Sequence, residues 1–503
     1  MKGFTYIDLA ILIVYLVAVL LVGMHFAKGE KLGKSYFKGD GTIPWWVTSV
    51  SIFATLLSPI SFLSLAGNSF AGTWIMWFAQ LGMLLAIPLT IKFFLPIYAK
   101  LDIDTAYHYL QLRFGSKGLR ILGAVMFIIY QVGRMSIIMY LPCMVLSSLM
   151  NINVNILLIL MGVIAIIYSY SGGLKSVLWT DFMQGSVLLI GVTFALIYLI
   201  CHLDGGFGAI MHELTENHKF LAADEPIFDI NILKDSVFLM IVGAGFNTMG
   251  SYMSSQDIVQ RFTTTTDTKK LNKMMLTNGI LSIFIATVFY LIGSGLYVFY
   301  QVQGNQLPPA ASMDQIFASW ISFELPVGVT GLLLAAIYAA AQSTLSTGLN
   351  SVASSWTLDI QDIVSKKKLD DKTRTKIGQY VSLAVGIFSI VVSMVLASGG
   401  VDSAYKWFNS FMGLVLGILM GVFVLGAFTK KGNTIGAVCG FVAASAVMIW
   451  IVYGLPAGTV SIWANSIIAL IVSLVVGYPV SIISRKITGD NSVPAPHTTI
   501  YKD

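Results

Sequence analysis

Two stretches of this chain carry oxygen atoms at spacings that suit a small hard cation. The first is Phe53–Ser64, FATLLSPISFLS, inside the apolar run Ile43–Phe70. Pro59 has no backbone N–H and its ring crowds the preceding turn, so a helix through this run should break near Leu56–Ser58. Within a bilayer such a break is tolerated only where the opened backbone lines protein or a water-filled cavity. Freed carbonyls, a half-helix end and the hydroxyls of Thr55, Ser58 and Ser61 then offer a place for a cation and a polar solute. The plainer alternative is a structural kink. The second stretch, GLLLAAIYAAAQSTLSTGLNSVASS, sets Ala340, Ser343, Thr344 and Thr347 at i, i+3, i+4 and i+7. Those offsets share one helical face, bordered by Ser346. Alone this stripe is a surface for close helix packing. Laid against broken backbone, it completes a shell of neutral oxygens, the donor type that hard cations such as sodium take.

Ionisable side chains at membrane depth are costly and ordinarily face a cavity. Arg134, after Gly133, sits mid-way along an apolar segment and could clamp a carboxylate through two parallel hydrogen bonds; its alternative is a structural pair. Asp181, in WTDFMQG, is either a helix cap or a counter-charge for a cation. Gln80 can donate and accept. Asp8 and Lys92 lie nearer segment ends and are expected to snorkel.

The elements that must hold these groups are membrane helices. The chain has 503 residues, 56% hydrophobic and 11% charged, with a mean hydropathy of +0.81, against roughly 25% charged in soluble domains. Spanning helices need about 20 apolar residues, and thirteen segments qualify: an all-α polytopic membrane protein. The first, 5–27, has no cleavage site after it and is expected to be retained. Cys143, Cys201 and Cys439 fall within spans and suggest neither disulfides nor a metal site. No His-Glu-x-x-His, Walker loop or Gly-x-Ser-x-Gly is present, and no histidine lies mid-membrane, so an enzyme is not expected. Nor is a nucleic-acid partner, because the net charge of +6 is a topology signal.

Most of the 30 basic residues fall in one alternating set of loops, which places the N-terminus outside and the C-terminus inside. Arg113, Arg120 and Arg261 are among them. Trp45, Trp46, Trp74, Trp77, Trp407 and Trp463 lie near span ends, where an interfacial belt is expected. His212 and His218 belong to the long outer loop 204–235, and the tail 490–503 should be mobile. Spans two to six and seven to eleven make two five-helix halves, 44–203 and 236–428, inverted with respect to each other because five is odd. That is the LeuT-like 5+5 arrangement. Residues 1–43 then form a peripheral first helix and loop, and 429–503 two peripheral helices and a cytoplasmic tail. Gly243, Gly245 and Gly250 around Asn247 could unwind the second half's first helix, or simply allow close packing.

Several motifs in order, SVSIFATLLSPISF, QVGR, YSYSGGLKSVLWTDFMQG, SSQDIVQRF and AAIYAAAQSTLSTGLNS, make the chain resemble the sodium:solute symporter family. Within it the chain is most similar to the bacterial sodium:sialic acid symporters. The resemblance implies a thirteen-helix LeuT-like fold. It implies a main sodium site from backbone oxygens of Ala54, Leu57 and Ala340 with the hydroxyls of Ser343 and Thr344. A second, found in part of the family, would use Asp181, Ser343, Ser346 and Thr347. The sialic acid carboxylate would meet Arg134 and the opened segment with Leu56, Ser58 and Ser61, and Gln80 would touch its hydroxyl or acetamido groups. Leu56, Pro59, Ser61 and Met76 depart from the usual pattern and make the site more apolar. The expected protein is a monomeric sodium-coupled symporter of the bacterial cytoplasmic membrane. Alternatives are a sodium symporter for another small carboxylate, sugar, amino acid or vitamin, and a proton-coupled carrier relaying through Asp181.

Overall fold

The computed structural model describes residues 5–27, 33–39, 41–150, 152–231, 233–307, 315–365, 369–399, 404–456, 458–489 and 493–501. Its principal helices are α1 (Tyr6–Ala27), α2 (Trp45–Leu56), α3 (Pro59–Ala71), α4 (Ala79–Phe93), α5 (Ala106–Phe114), α6 (Lys117–Met150) and α7 (Val154–Cys201). They continue with α8 (Val237–Ser254), α9 (Gln256–Phe262), α10 (Thr268–Tyr297), α11 (Val329–Ser355), α12 (Asp371–Gly399), α13 (Ala404–Phe428), α14 (Thr434–Ile449) and α15 (Asn465–Thr488). Among the described residues nine helices are long and apolar enough to cross a membrane, or ten with the bent pair α2–α3 taken as one span. Thirteen is therefore not reached by length and composition. The 48-residue α7 runs on without a loop where two spans were expected, although Gly173 leaves helical geometry inside it at φ 52, ψ −157.

The first break falls where proline chemistry puts it. Leu57 and Ser58 are extended, Ser58 caps α3 by accepting from the Ser61 N–H at 3.3 Å, and Pro59 takes the first helical turn, where its missing N–H is harmless. The two halves are bent by 63°. The glycine-rich helix α8 does not unwind at its glycines. α8 continues through Gly243, Gly245 and Gly250, and the chain opens instead at Ser255 (φ −87, ψ 114). The glycines allow close packing: a Cβ at Gly243 would come within 2.1 Å of the Trp463 carbonyl oxygen.

α11 is the axis of the molecule. Every residue from Leu333 to Ser355 is buried, enclosed by α1, α2, α6, α7 and α12. Small residues let those neighbours approach closely. Asp8 does not snorkel. It is buried and accepts from the N–H groups of Gly328 and Gly331 at 2.8 and 2.9 Å, pinning α11 at its N-terminus, where the helix dipole favours a carboxylate. Lys92 is exposed, as expected.

Three arginines read as loop charges are buried struts. Arg113 donates to the carbonyls of Gly426 and Thr429, Arg120 pairs with Asp359 at 2.6 Å, and Arg261 is fully enclosed. Trp74 is buried and donates to Ser294 Oγ at 2.9 Å. The tail is also ordered where described: Tyr109 donates to the buried Thr498 carbonyl, and the Ile500 N–H donates to Ala427 O, both at 3.0 Å. Lys2, Lys28, Lys31, Lys366, Lys367, Lys368 and Lys502 lie outside the described residues.

Candidate cation and solute site

Pro59 decides the local chemistry. In an unbroken helix the Thr55 carbonyl would accept from the N–H of residue 59, which proline lacks. Arg134, on α6, supplies the donor instead: its Nη2 reaches Thr55 O at 2.7 Å. Its Nη1 donates to Asp257 Oδ2 on α9 at 2.5 Å, while its buried Nε has no partner. The expected carboxylate clamp is thus held by an internal carboxylate, with the Nε–H uncommitted.

Asp181 is not a helix cap. It lies more than two turns beyond Gly173 inside α7 and is fully buried. Its carboxylate accepts from Ser51 Oγ at 2.6 Å, Ser343 Oγ at 2.8 Å, Thr347 Oγ1 at 3.2 Å and Arg261 Nη2 at 2.7 Å. Four elements, α2, α7, α9 and α11, therefore meet on one carboxylate. Ser346, from the same expected set, turns its hydroxyl to Ser343 O at 3.1 Å.

The broken helix lies against the hydroxyl face of α11, with Thr55 Oγ1 and Thr347 Oγ1 3.3 Å apart. Ala54 and Leu57 are on the opened end of α2, and Ala340, Ser343 and Thr344 face inward on α11, all buried. Thr344 Oγ1 donates to Ala340 O at 3.1 Å. A hydroxyl that donates once keeps lone pairs for a cation, so this neutral oxygen set fits sodium. Beside it lies a cavity of about 140 Å³, lined by Leu56, Ser58, Ser61 and Gln80 with Phe53, Met83 and Ser282 among others. Arg134 is not in that lining. The volume is below the roughly 300–1,000 Å³ of small-molecule pockets, so a sugar-sized solute requires it to widen.

The sequence profile of the Sodium:solute symporter family matches residues 36–444. The chain belongs to this family. Among curated relatives, the sodium/sialic acid symporter SiaT of Proteus mirabilis (strain HI4320) is 33% identical over 454 residues, covering 90% of this chain and 91% of its own. The sodium/sialic acid symporter NanT of Aliivibrio fischeri (strain ATCC 700601 / ES114) is 30% identical over 477 residues, 95% and 93% of the two chains. Among solved structures, a substrate-bound, outward-open Na+-coupled sialic acid symporter superposes with a TM-score of 0.89 at 31% identity, covering 96% of this chain and 98% of that one. The nucleobase-cation-symport-1 transporter Mhp1, at 14% identity and a TM-score of 0.58, shares the fold alone. The chain is therefore an all-α, LeuT-fold, sodium-coupled symporter and a multi-pass membrane protein, not an enzyme.

Two residues of the candidate site were not singled out from the sequence. Asp257 lies within the expected seventh span, so the depth criterion that singled out Arg134 and Asp181 applied to it equally. Arg261 was hidden by its setting: just past a span end, beside Lys269, Lys270 and Lys273, it looks like one more loop charge. Only the break at Ser255, which turns α9 back into the protein, buries it.

Proposed function

We propose that this symporter couples inward sodium flow to uptake of sialic acid, N-acetylneuraminate, by alternating access. The observation that carries the reading is Arg134. It is a buried guanidinium with an uncommitted Nε–H, tied to the proline break beside a largely apolar cavity that carries Ser58, Ser61, Gln80 and Ser282 in its wall. A carboxylate is the group such a fork recognises best. Leu56, Ser58, Ser61 and Gln80 would meet the rest of the sugar. Ala54, Leu57, Ala340, Ser343 and Thr344 would hold the main sodium, and Asp181, Ser343, Ser346 and Thr347 a second. The sodium shell exists only while α2 and α11 stay together. Sodium then favours the solute-binding state, and linkage makes each ligand raise the other's affinity. Asp181 paired with Arg261 counts against its use as a proton relay.

The same reading divides the chain into thirteen spans, with Gly173 separating two of them. Residues 44–203 and 236–428 are the inverted repeats, 1–43 and 429–503 are peripheral, and 204–235 is an outer loop. The protein sits in the bacterial cytoplasmic membrane as a monomer, N-terminus outside and C-terminus inside.

The test is uptake of labelled N-acetylneuraminate into proteoliposomes. Accumulation should follow an inward sodium gradient and vanish without it. Uptake driven equally by a pH gradient in sodium-free buffer, or left intact by excess unlabelled sialic acid, would overturn the proposal.

A further inference from the structure

Both buried charges expected to meet the cargo are already occupied, and by one short helix. α9 carries Asp257 and Arg261 at i and i+4, on one face. Asp257 holds Arg134, the group assigned to the substrate carboxylate. Arg261 holds Asp181 and donates to Thr347 Oγ1 at 2.6 Å and to Ser51 Oγ at 2.9 Å. Asp181 and Thr347 are two of the ligands assigned to the second sodium. The guanidinium and a sodium ion cannot share that oxygen cage, since both need the same lone pairs.

We propose that α9 is an internal competitor for both cargoes: Arg261 substitutes for the second sodium at Asp181, and Asp257 substitutes for the substrate carboxylate at Arg134. The inference rests on the reading of Arg134 and Asp181 as cargo sites. The exchange conserves buried charge. Empty, the pairs are Asp257 with Arg134 and Arg261 with Asp181. Loaded, they are the solute carboxylate with Arg134 and sodium with Asp181, and the released Asp257 and Arg261 pair with each other. Arg261 Nη1 already donates to the Asp257 backbone carbonyl, so that third pair needs only side-chain rotation. No charge is left unpaired in the interior, which is the arrangement that would be strongly disfavoured. Because the displaced charges share one helix, each cargo that arrives loosens the hold on the other's site, which is coupling without contact between the cargoes.

The experiment is equilibrium binding to the purified full-length protein. Sodium binding is followed by thermal stabilisation and by radiolabelled sodium in the absence of sugar; sialic acid binding is followed by calorimetry at saturating sodium. In Arg261→Gln, sodium should bind severalfold tighter with a steeper concentration dependence, reflecting an additional site. In Asp257→Asn, sialic acid should bind severalfold tighter. Unchanged or weaker binding in both variants overturns the proposal. Should Arg261→Gln fail to fold, Arg261→Lys retains the buried charge but fits the cage poorly; it should still tighten sodium binding, and an unchanged affinity overturns the proposal. The underlying assignments are tested separately. Adding Asp181→Asn to Arg261→Gln should abolish the extra sodium; if it does not, the Asp181 site assignment is what failed. If Arg134→Gln, with Asp257→Asn as its charge-balanced partner, binds sialic acid as the wild type does, the substrate assignment failed.

Discussion

At the scale of single residues, the site is a set of oxygens and guanidinium N–H groups whose partners can be named. Arg134→Ala would strand Asp257 in the interior, which costs about 3–5 kcal/mol, and would confuse unfolding with lost transport. Arg134→Lys keeps the charge and loses the fork. Hydrogen bonds to charged groups are worth about 1.5–3 kcal/mol each, so uptake of carboxylate solutes should fall by about tenfold or more while the melting midpoint changes little. Ser343→Ala removes one hydroxyl from both proposed sodium shells. It should raise the sodium concentration needed for half-maximal uptake, read from uptake at a series of sodium concentrations. Lys219, in the loop between α7 and α8, donates to the carbonyls of Ser69, Phe70 and Gly72 at 2.9–3.1 Å and lies 3.9 Å from the Tyr297 ring centroid. Burial pulls its ammonium down to about 8 from 10.5, opposed by Glu213. The unfolded chain therefore binds more protons than the folded one between those values, so stability rises with pH across that window. Thermal melts from pH 8 to 10 should show a rise in wild type that Lys219→Met lacks.

At the scale of elements, one proline organises the first half of the molecule. Pro59→Ala returns an N–H to a position that can satisfy Thr55 O within the helix, in competition with Arg134. Both the sodium and the solute concentrations for half-maximal uptake should then rise together, because the break serves both. An unchanged sodium dependence would mean that the ion does not use this backbone. The Pro59 break was legible because an apolar run with a central proline has few other outcomes. The opening at Ser255 was not legible. Nothing in SYMSSQDIV forbids helix, and what opens the chain there is the pull of long-range partners, with Asp257 and Arg261 reaching α6, α7 and α11. The glycines of α8 left two outcomes open for a related reason. Glycine permits unwinding and close packing alike, and only the Trp463 carbonyl beside Gly243 chooses between them.

At the scale of the whole molecule, Leu333–Ser355 of α11 are buried throughout, and α2, α3 and α9, which flank the two breaks, pack against α11. The charge asymmetry of the loops predicts which side is which. In a cysteine-free background, Lys234→Cys should react with an impermeant thiol reagent applied to intact cells, and Lys486→Cys only after permeabilisation; the reverse pattern would invert the proposed orientation.

The sequence by itself determined the solvent, the class and the first break, because hydropathy, loop charge and a mid-helix proline act locally and through composition. It also marked Arg134, Asp181 and the hydroxyl stripe, since an ionisable group or dense hydroxyls at membrane depth are rare enough to notice. Only the tertiary structure decided which charges neutralise one another. Pairing in a low-dielectric interior depends on distances of a few ångströms between helices far apart in the chain, and no spacing in the sequence encodes that Arg261 lies on Asp181 or Asp257 on Arg134.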